Sequence, residues 1–494
     1  MSWYRLRPPD AVERSLVPVL GIEPWIAALR EKLGVGAYPV TLFGEKEDES
    51  CIRVWCVLGD AAEHVLWLTS TRMGKGDAHF PSLANDFPAV NYFECELFEQ
   101  TGIVPEYHPW LRPVRTADDW RKNDEPYQFY LVKGEEVHEV AVGPVHAGVI
   151  EPGHFRFQCH GEQILHLEIM LGYQRRGAEK LLPQRHPAQQ IVLVESIAGD
   201  SVIAHATAFC AGLESLAGAT LSLRDHAVRS IAAELERIAM HLSTLSGISV
   251  DIGFALPAAA IGNLRTLAIN LMAEICGSRF GRGWIIPGGV RFDAEVAWVQ
   301  KTKEVLVTIR ERFRDVEALL FNSASALSRL EDTGTVTPQA ARRIGLVGLA
   351  ARASGIDRDV RVDFPYGMYR YSNVGSTILE SGDVYARAKM RSAEIQQSIE
   401  FILEQLESLP AAKPKNEMQT LRPNRIAVSL TEGHRGEIAH VLLTNASGKL
   451  SQVKVKDPSF HNWQGLSIAV RENGISDFPL CNKSFDLSYA GHDL

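Results

Sequence analysis

Between Gly143 and Lys180 the chain gathers four histidines (His146, His154, His160 and His166), the carboxyl of Glu151 beside a Pro-Gly turn, and the cluster Arg175, Arg176, Glu179 and Lys180. Imidazoles exchange protons near neutral pH, and a carboxyl joins such chemistry when burial raises its pKa. An acid on a tight turn is otherwise an ordinary solvated group. Downstream, Glu234, Arg237 and His241 recur at i, i+3 and i+7 on one helical face. That spacing allows pairing, but its commoner meaning is a solvated ion pair worth roughly 0.3–0.5 kcal/mol. Seven cysteines (Cys51, Cys56, Cys95, Cys159, Cys210, Cys276 and Cys481) form no Cys-x-x-Cys pair, which argues against a zinc module or a cysteine-held cluster. No Gly-x-Gly-x-x-Gly lies between a strand and a helix, so a nicotinamide site belongs to another subunit if one is needed.

The elements that position these groups follow from periodicity. At 494 residues, 46% hydrophobic and 22% charged, the chain is an ordinary folded protein of two or three domains. Its net charge of −9 gives no footprint for nucleic acid. No signal peptide or membrane-spanning run is evident, so any membrane attachment comes through partners. Residues 1–114 read as a small α/β domain: YPVTLFG, CIRVWCVLG and HVLWLTS are strand-like, and DFPAVNYFECELFEQTG is a short helix with Pro88 in its first turn. Residues 115–140 read as a linker. GPVHAGVIEPGHFRF predicts a hairpin broken at Glu151-Pro152-Gly153, whereas ILHLEIMLGYQ fits helix and strand equally.

From residue 187 to 409 the pattern is mainly helical. Ser222 is a plausible N-cap, and Val228, Ile231, Leu235, Ile238, Leu242 and Leu245 form one buried stripe of a helix expected to end at Gly247. Further helices are expected near 258–280, 293–330, 337–354 and 383–409, with a break at 285–293. A β-containing tail follows, NRIAVSLTEG, HVLLTN and LSQVKVKD.

In motif order the chain resembles the large subunit of energy-converting NiFe hydrogenases of the formate-hydrogenlyase type and, more distantly, the quinone-site subunit of respiratory complex I. The residues that carry this are Gly143-Pro144, Glu151-Pro152-Gly153-His154-Phe155-Arg156, Gly161-Glu162, Arg176-Gly177 with Glu179-Lys180, and ELERIAMHL (Glu234–Leu242). Pro287-Gly288-Gly289-Val290-Arg291 and Gly382-Asp383-Val384-Tyr385 with Arg387 continue it. The N-terminal part resembles the small peripheral subunit of complex I, through NYFECELFEQTGI and HPWLRP. The resemblance implies an α+β protein: the α/β domain 1–114, the linker 115–140, and a mainly helical hydrogenase-large-subunit-like domain 141–494 with peripheral β-hairpins.

A NiFe centre needs four thiolates, because soft sulfur ligands hold nickel and bridge it to iron. The family's two Cys-x-x-Cys pairs align with SIAGDSVIAH (Ser196–His205) and DLSYAGHDL (Asp486–Leu494), where Ala198, Ser201, Ser488 and Gly491 replace them. The resemblance therefore implies no metal and no hydrogen chemistry. It implies a surviving polar cavity in which Glu151, His154 and His205 are the candidate catalytic groups and Asp200, Ser201, Ser488 and His492 the candidate cofactor-binding groups. Gly199 matches the quinone-binding tyrosine of complex I. The expected function is a non-hydrogenase large subunit of a membrane-attached, complex-I-like oxidoreductase, peripheral on the cytoplasmic face of the inner membrane. It would pass electrons from a partner iron–sulfur subunit to a quinone or similar acceptor, with proton uptake coupled to antiporter-like membrane subunits. The alternative is a catalytically inactive scaffold of such a complex. Arg175, Arg176, Glu179 and Lys180 are expected near the iron–sulfur subunit or, equally, at a solvated helix end.

Overall fold

The computed structural model describes residues 2–74, 78–115, 127–148, 150–412 and 418–494; residues 116–126 of the expected linker lie outside them. The strands Tyr38–Lys46, Cys51–Asp60 and Val65–Gly74 form an antiparallel meander, extended by Tyr4–Leu6 and, in parallel, by Val19–Leu20. Successive strand side chains leave opposite faces. Ile52, Val54, Cys56 and Leu58 pack under the helices Ile22–Gly34 and Asn91–Thr101. Trp55 and Val57 face the other way, onto Ile426, Val428 and Val441 of a second sheet. Cover on both faces is why these strands read as unbroken apolar runs.

The second sheet consists of Arg425–Gly433, Gly436–Thr444 and Leu450–Lys456, with the N-terminal strand Ala11–Glu13 paired to its edge. The helix Val202–Ala217 lies across it, while Leu223–Asp251, Ala255–Cys276, Val296–Phe321 and Val384–Glu407 pack into a bundle. The fold is α+β: a β-rich N-terminal part, then a largely helical region with small sheets. The expected helical windows are filled by these helices and by Ala324–Leu330, Pro338–Ile344 and Gly348–Ala353; the break is a tight pair of Ile285–Ile286 with Gly289–Val290. No helix among the described residues is long and apolar enough to cross a membrane.

Three local expectations are corrected. The sheet around Glu151 is built from Val137–Val142, His154–His160 and Gln163–Met170, so the described residues between 143 and 153 form a loop and ILHLEIM is a strand. Gly143, at φ +82°, lets the ends of this loop meet, because a Cβ there would collide with the Gly153 carbonyl. The helix capped by the Ser222 hydroxyl on the Asp225 N–H runs through Gly247 to Asp251. Gly247 makes room for the Lys483 stem, 2.8 Å from where a Cβ would stand, and that packing offsets the roughly 1 kcal/mol that glycine costs inside a helix.

The third correction concerns Glu234, Arg237 and His241, which are only 1%, 1% and 0% exposed. They are members of a buried ionic network rather than a wet surface pair. Arg237 donates to Glu234 at 3.0 Å, His241 Nε2 lies 2.8 Å from Glu394, and Arg352 holds Glu394 and Glu432 at 2.6 and 2.9 Å. Arg361 bridges Asp359 and Glu234 at 2.7 and 3.3 Å.

Candidate functional site

An open cleft of about 870 Å³ lies where the 143–153 loop meets the C-terminal end of the Leu223–Asp251 helix and the chain's last turns. Glu151, Asp200, Lys483, Arg435, Asp486 and Tyr489 supply its polar lining, and Val142, Ile150, Val250, Phe478 and Leu487 its apolar walls. Glu151 is exposed as a residue, but its carboxylate turns inward, accepting the Tyr489 N–H at 3.3 Å. Loss of water around it, and then the charge of Asp200, raise its carboxyl above the usual range; Arg435 and the Tyr489 and Ala490 N–H groups pull the other way. The group therefore holds a proton more readily than a free glutamate, as a relay requires.

Arg435 dominates the electrostatics. With His434 it forms the two-residue tip between the strands Arg425–Gly433 and Gly436–Thr444. Gly436, at φ +136°, seats this tip against Gly348, whose Cα lies 2.7 Å from where a Cβ would stand. The guanidinium makes a forked pair with Asp200 at 2.7 and 2.6 Å, reaches the Ser201 hydroxyl at 3.4 Å and donates through Nε to the Asp486 carbonyl. Burial alone would raise the Asp200 carboxyl, but the Arg435 charge and hydrogen bonds hold it well below the usual range. His434 lies 3.5 Å from Ser201 and 3.9 Å from Asp486, and burial followed by the Arg435 charge keeps it neutral. Arg176 adds a second tie, donating to the carbonyls of Ser196, Ile197 and Ala490. Two arginines thus clamp the internal segment 196–201 to the terminal segment 486–491.

The candidate residues from sequence are distributed unequally. Glu151 and Asp200 line the cleft together. His154 does not: its Nδ1 lies 3.2 Å from the Gly143 carbonyl and its ring lies against Phe129. Ser201 is buried behind Arg435. His205 is fully buried, with Nδ1 3.0 Å from His440 Nε2 and Nε2 3.0 Å from Asp457 Oδ2. The Ser488 hydroxyl accepts the Gly491 N–H at 2.8 Å, capping the last helix, Tyr489–Asp493. His492 is stacked on Phe460, and its Nδ1 lies 3.0 Å from Asp493. Arg176 and Glu179 are spent inside the chain, Glu179 accepting the Val455 N–H at 2.8 Å and pairing with Lys454 at 2.9 Å.

The donor set does not fit a NiFe centre. At Gly491 a Cβ would stand 2.7 Å from the Asp457 carboxyl carbon, so a thiolate there has no room. Ala198 offers no ligand atom, and the Ser201 and Ser488 hydroxyls are engaged with Arg435 and Gly491. Among the described residues no group of three or more His, Cys, Asp or Glu is placed to hold a metal ion. At Gly199, by contrast, a Cβ would meet open space. Arg435 and Lys483, which line the cleft, and His434, buried beside Ser201, were not singled out from the sequence. The signal for Arg435 and His434 was a Gly-His-Arg-Gly turn between two β-runs, a pattern that marks a tight hairpin tip without saying where the tip points; Lys483, on the helix Phe478–Phe485, carried none.

Known proteins bear on this arrangement in one direction. Residues 251–425 match the respiratory-chain NADH dehydrogenase 49 Kd subunit, and residues 19–129 match the 30 Kd subunit of the same enzyme. The chain is 27% identical over 483 residues to formate hydrogenlyase subunit 5 of Escherichia coli, covering 93% of this chain and 85% of that protein. It is 28% identical over 378 residues to NADH-quinone oxidoreductase subunit 4 of Thermus thermophilus, covering 71% and 92% of the two chains. Over 353 residues it is 29% identical to the carbon monoxide-induced hydrogenase of Rhodospirillum rubrum, covering 71% and 97%. The chain is a fusion of complex I 30 Kd-type and 49 Kd-type subunit domains, related to the large subunits of formate hydrogenlyase and hydrogenase-4.

Proposed function

We propose that this chain is the large subunit of a membrane-attached, complex-I-like oxidoreductase that delivers electrons to a quinone or similar small acceptor in the Glu151 cleft. The observation that carries this reading is the cleft itself. It is open and apolar-walled, and it is edged by a carboxyl with raised proton affinity beside Asp200 and Asp486 of the two former ligand segments. A bound quinone would supply two-electron, two-proton chemistry. The residues of this chain would bind its ring between Ile150, Phe478 and Leu487, orient it against Tyr489 and Lys483, and hold a proton at Glu151. Electrons would come from an iron–sulfur partner subunit, and any nicotinamide site would lie in another subunit. Proton uptake would be coupled to antiporter-like membrane partners, with the chain peripheral on the cytoplasmic face of the inner membrane. Domains 1–114 and 141–494 would correspond to the two fused subunits.

A second reading, a scaffold without turnover, is favoured by the Arg435 and Arg176 clamps, which knit the two former ligand segments together much as a metal would. A photoreactive quinone separates the two. Cross-links on peptides containing Glu151, Phe478 or Tyr489, competed away by unlabelled quinone, support the acceptor site. Labelling confined to other surfaces sinks it and leaves the scaffold.

A further inference from the structure

Apart from His146, the basic side chains that line the Glu151 cleft are Arg435 and Lys483. The Arg435 guanidinium is spent on Asp200, Ser201 and the Asp486 carbonyl. The Lys483 ammonium, by contrast, makes no hydrogen bond and no ion pair among the described residues. Its stem is fixed all the same. Lys483 stands on the helix Phe478–Phe485, and its Cγ, Cδ and Cε cross Gly247 at 3.4, 2.8 and 3.2 Å from where a Cβ would stand. A methyl group at 247 would push the stem aside, so glycine opens a slot in which it lies against the long helix. Ordering a free lysine costs up to roughly 2 kcal/mol; here packing within the chain fixes the stem before a ligand arrives. The acids of the cleft leave the ammonium free. Asp200 is held by Arg435, Glu151 accepts the Tyr489 N–H at 3.3 Å, and Asp486 accepts the Thr244 hydroxyl at 2.6 Å. Asp251, which closes the long helix, holds its proton more readily than a free aspartate, because burial outweighs the pull of the Lys483 charge. A pre-set ammonium without a partner, beside the apolar walls of Ile150, Phe478 and Leu487, is a donor open to a ligand.

We propose that Lys483, held in its slot at Gly247, donates to an oxygen of the acceptor, and that the cleft takes acceptors whose carbonyl oxygens turn negative on reduction. The inference rests on the acceptor-reducing function proposed above and names its acceptor chemistry. A quinone becomes a quinol by taking two electrons, which the partner subunit brings, and two protons, which come from water by way of Glu151. Each carbonyl π bond gives way to an O–H bond as the ring becomes aromatic. Until both protons arrive, charge sits on oxygen, and an ammonium donor holds that oxygen more strongly than a neutral carbonyl. Lys483 keeps its own proton throughout, so it favours the reduced acceptor without being consumed.

Competition against a photoreactive quinone on the purified complex tests this. The competitors are a hydroxynaphthoquinone, whose acidic enol is ionised at neutral pH, and its neutral methoxy ether. Wild type should bind the anion at least about tenfold more tightly than the ether. Lys483→Met, which keeps an apolar stem in the slot, should abolish that preference, and Lys483→Arg should keep part of it. Gly247→Ala retains the ammonium but displaces its stem, and should weaken the preference although alanine suits a helix better than glycine. Soluble-quinone reduction by Lys483→Met should fall at least about tenfold, more in kcat than in KM. Equal binding of the two competitors by wild type, or a preference that survives Lys483→Met, overturns the proposal. A Gly247→Ala complex indistinguishable from wild type overturns the slot. Absence of competed label on peptides containing Glu151, Phe478 or Tyr489 in wild type would instead condemn the acceptor site itself, and the Lys483 contact with it.

Discussion

Replacing Arg435 by Met removes the forked pair with Asp200, the bond to the Asp486 carbonyl and the contact with Ser201 while keeping an apolar side chain of similar reach. Breaking a buried pair by removing one partner costs about 3–5 kcal/mol, chiefly because the other charge is stranded. The side chain of Arg435 is 4% exposed but that of Asp200 is 35% exposed, so water relieves part of that cost, and about 1.5–3 kcal/mol is expected. Arg435→Met combined with Asp200→Asn should be less destabilised than Arg435→Met alone, since the stranded charge is gone. The pH dependence follows from the sign of the shift. The Asp200 carboxyl is depressed in the folded chain, so the pair's contribution is complete above the ordinary carboxylate pKa and fades as pH falls through the folded value. The gap between wild type and Arg435→Met should be flat from about pH 5 to pH 8 and shrink below about pH 4. Urea unfolding across that range, with hydrogen exchange on segments 196–204 and 486–491, reads both effects. A loss under about 0.5 kcal/mol, or a double variant whose losses simply add, refutes the clamp.

Removing Glu394, which receives Arg352, Arg237 and His241, should cost about 3–5 kcal/mol in Glu394→Ala by urea unfolding; a loss of a few tenths would return the network to a solvated surface. Gly491→Cys should destabilise by about 1–3 kcal/mol through overpacking against Asp457. Restoring cysteines at Ala198, Ser201, Ser488 and Gly491 together should yield no stoichiometric nickel by metal analysis; nickel uptake by that variant contradicts the misfit. Because the Glu236 carboxyl is raised in the folded chain, it lowers stability progressively as pH rises from its unfolded value to about 8. Glu236→Gln should therefore gain on wild type over that interval in pH-dependent unfolding, and a gap that stays constant would mean an ordinary, ionised glutamate.

The strands Tyr38–Lys46, Cys51–Asp60 and Val65–Gly74 were legible because apolar runs of that length between polar turns have few other uses. The start of the long helix was legible from the Ser222 cap and its apolar stripe, but its end was not. Gly247 is a stop signal in isolation, and the Lys483 stem that overrides it is remote in sequence. The same distance hid the ionic network. Nothing near Glu234 announces Arg352, Asp359, Arg361, Glu394 or Glu432, so one wet helix face was the natural inference for a helix whose middle, residues 227–242, is buried on every side. The loop at 143–153 reads as β-prone in its valines and is fixed instead by His146 Nε2 lying 2.8 Å from the Gly153 carbonyl. Glu151 and Asp200, named from motif order, both line the cleft. Arg435 was not named, because a hairpin tip reveals its turn and hides what it faces.

The Glu151 assignment is tested most directly by soluble-quinone reduction in the complex isolated with its partners, supplied with a low-potential donor, for wild type and Glu151→Gln. Turnover that collapses in the variant, while the partner's clusters remain reducible, is the predicted result. Turnover equal to wild type would remove Glu151 from the proton route, and no turnover in a wild-type complex with reducible clusters would contradict the acceptor site itself.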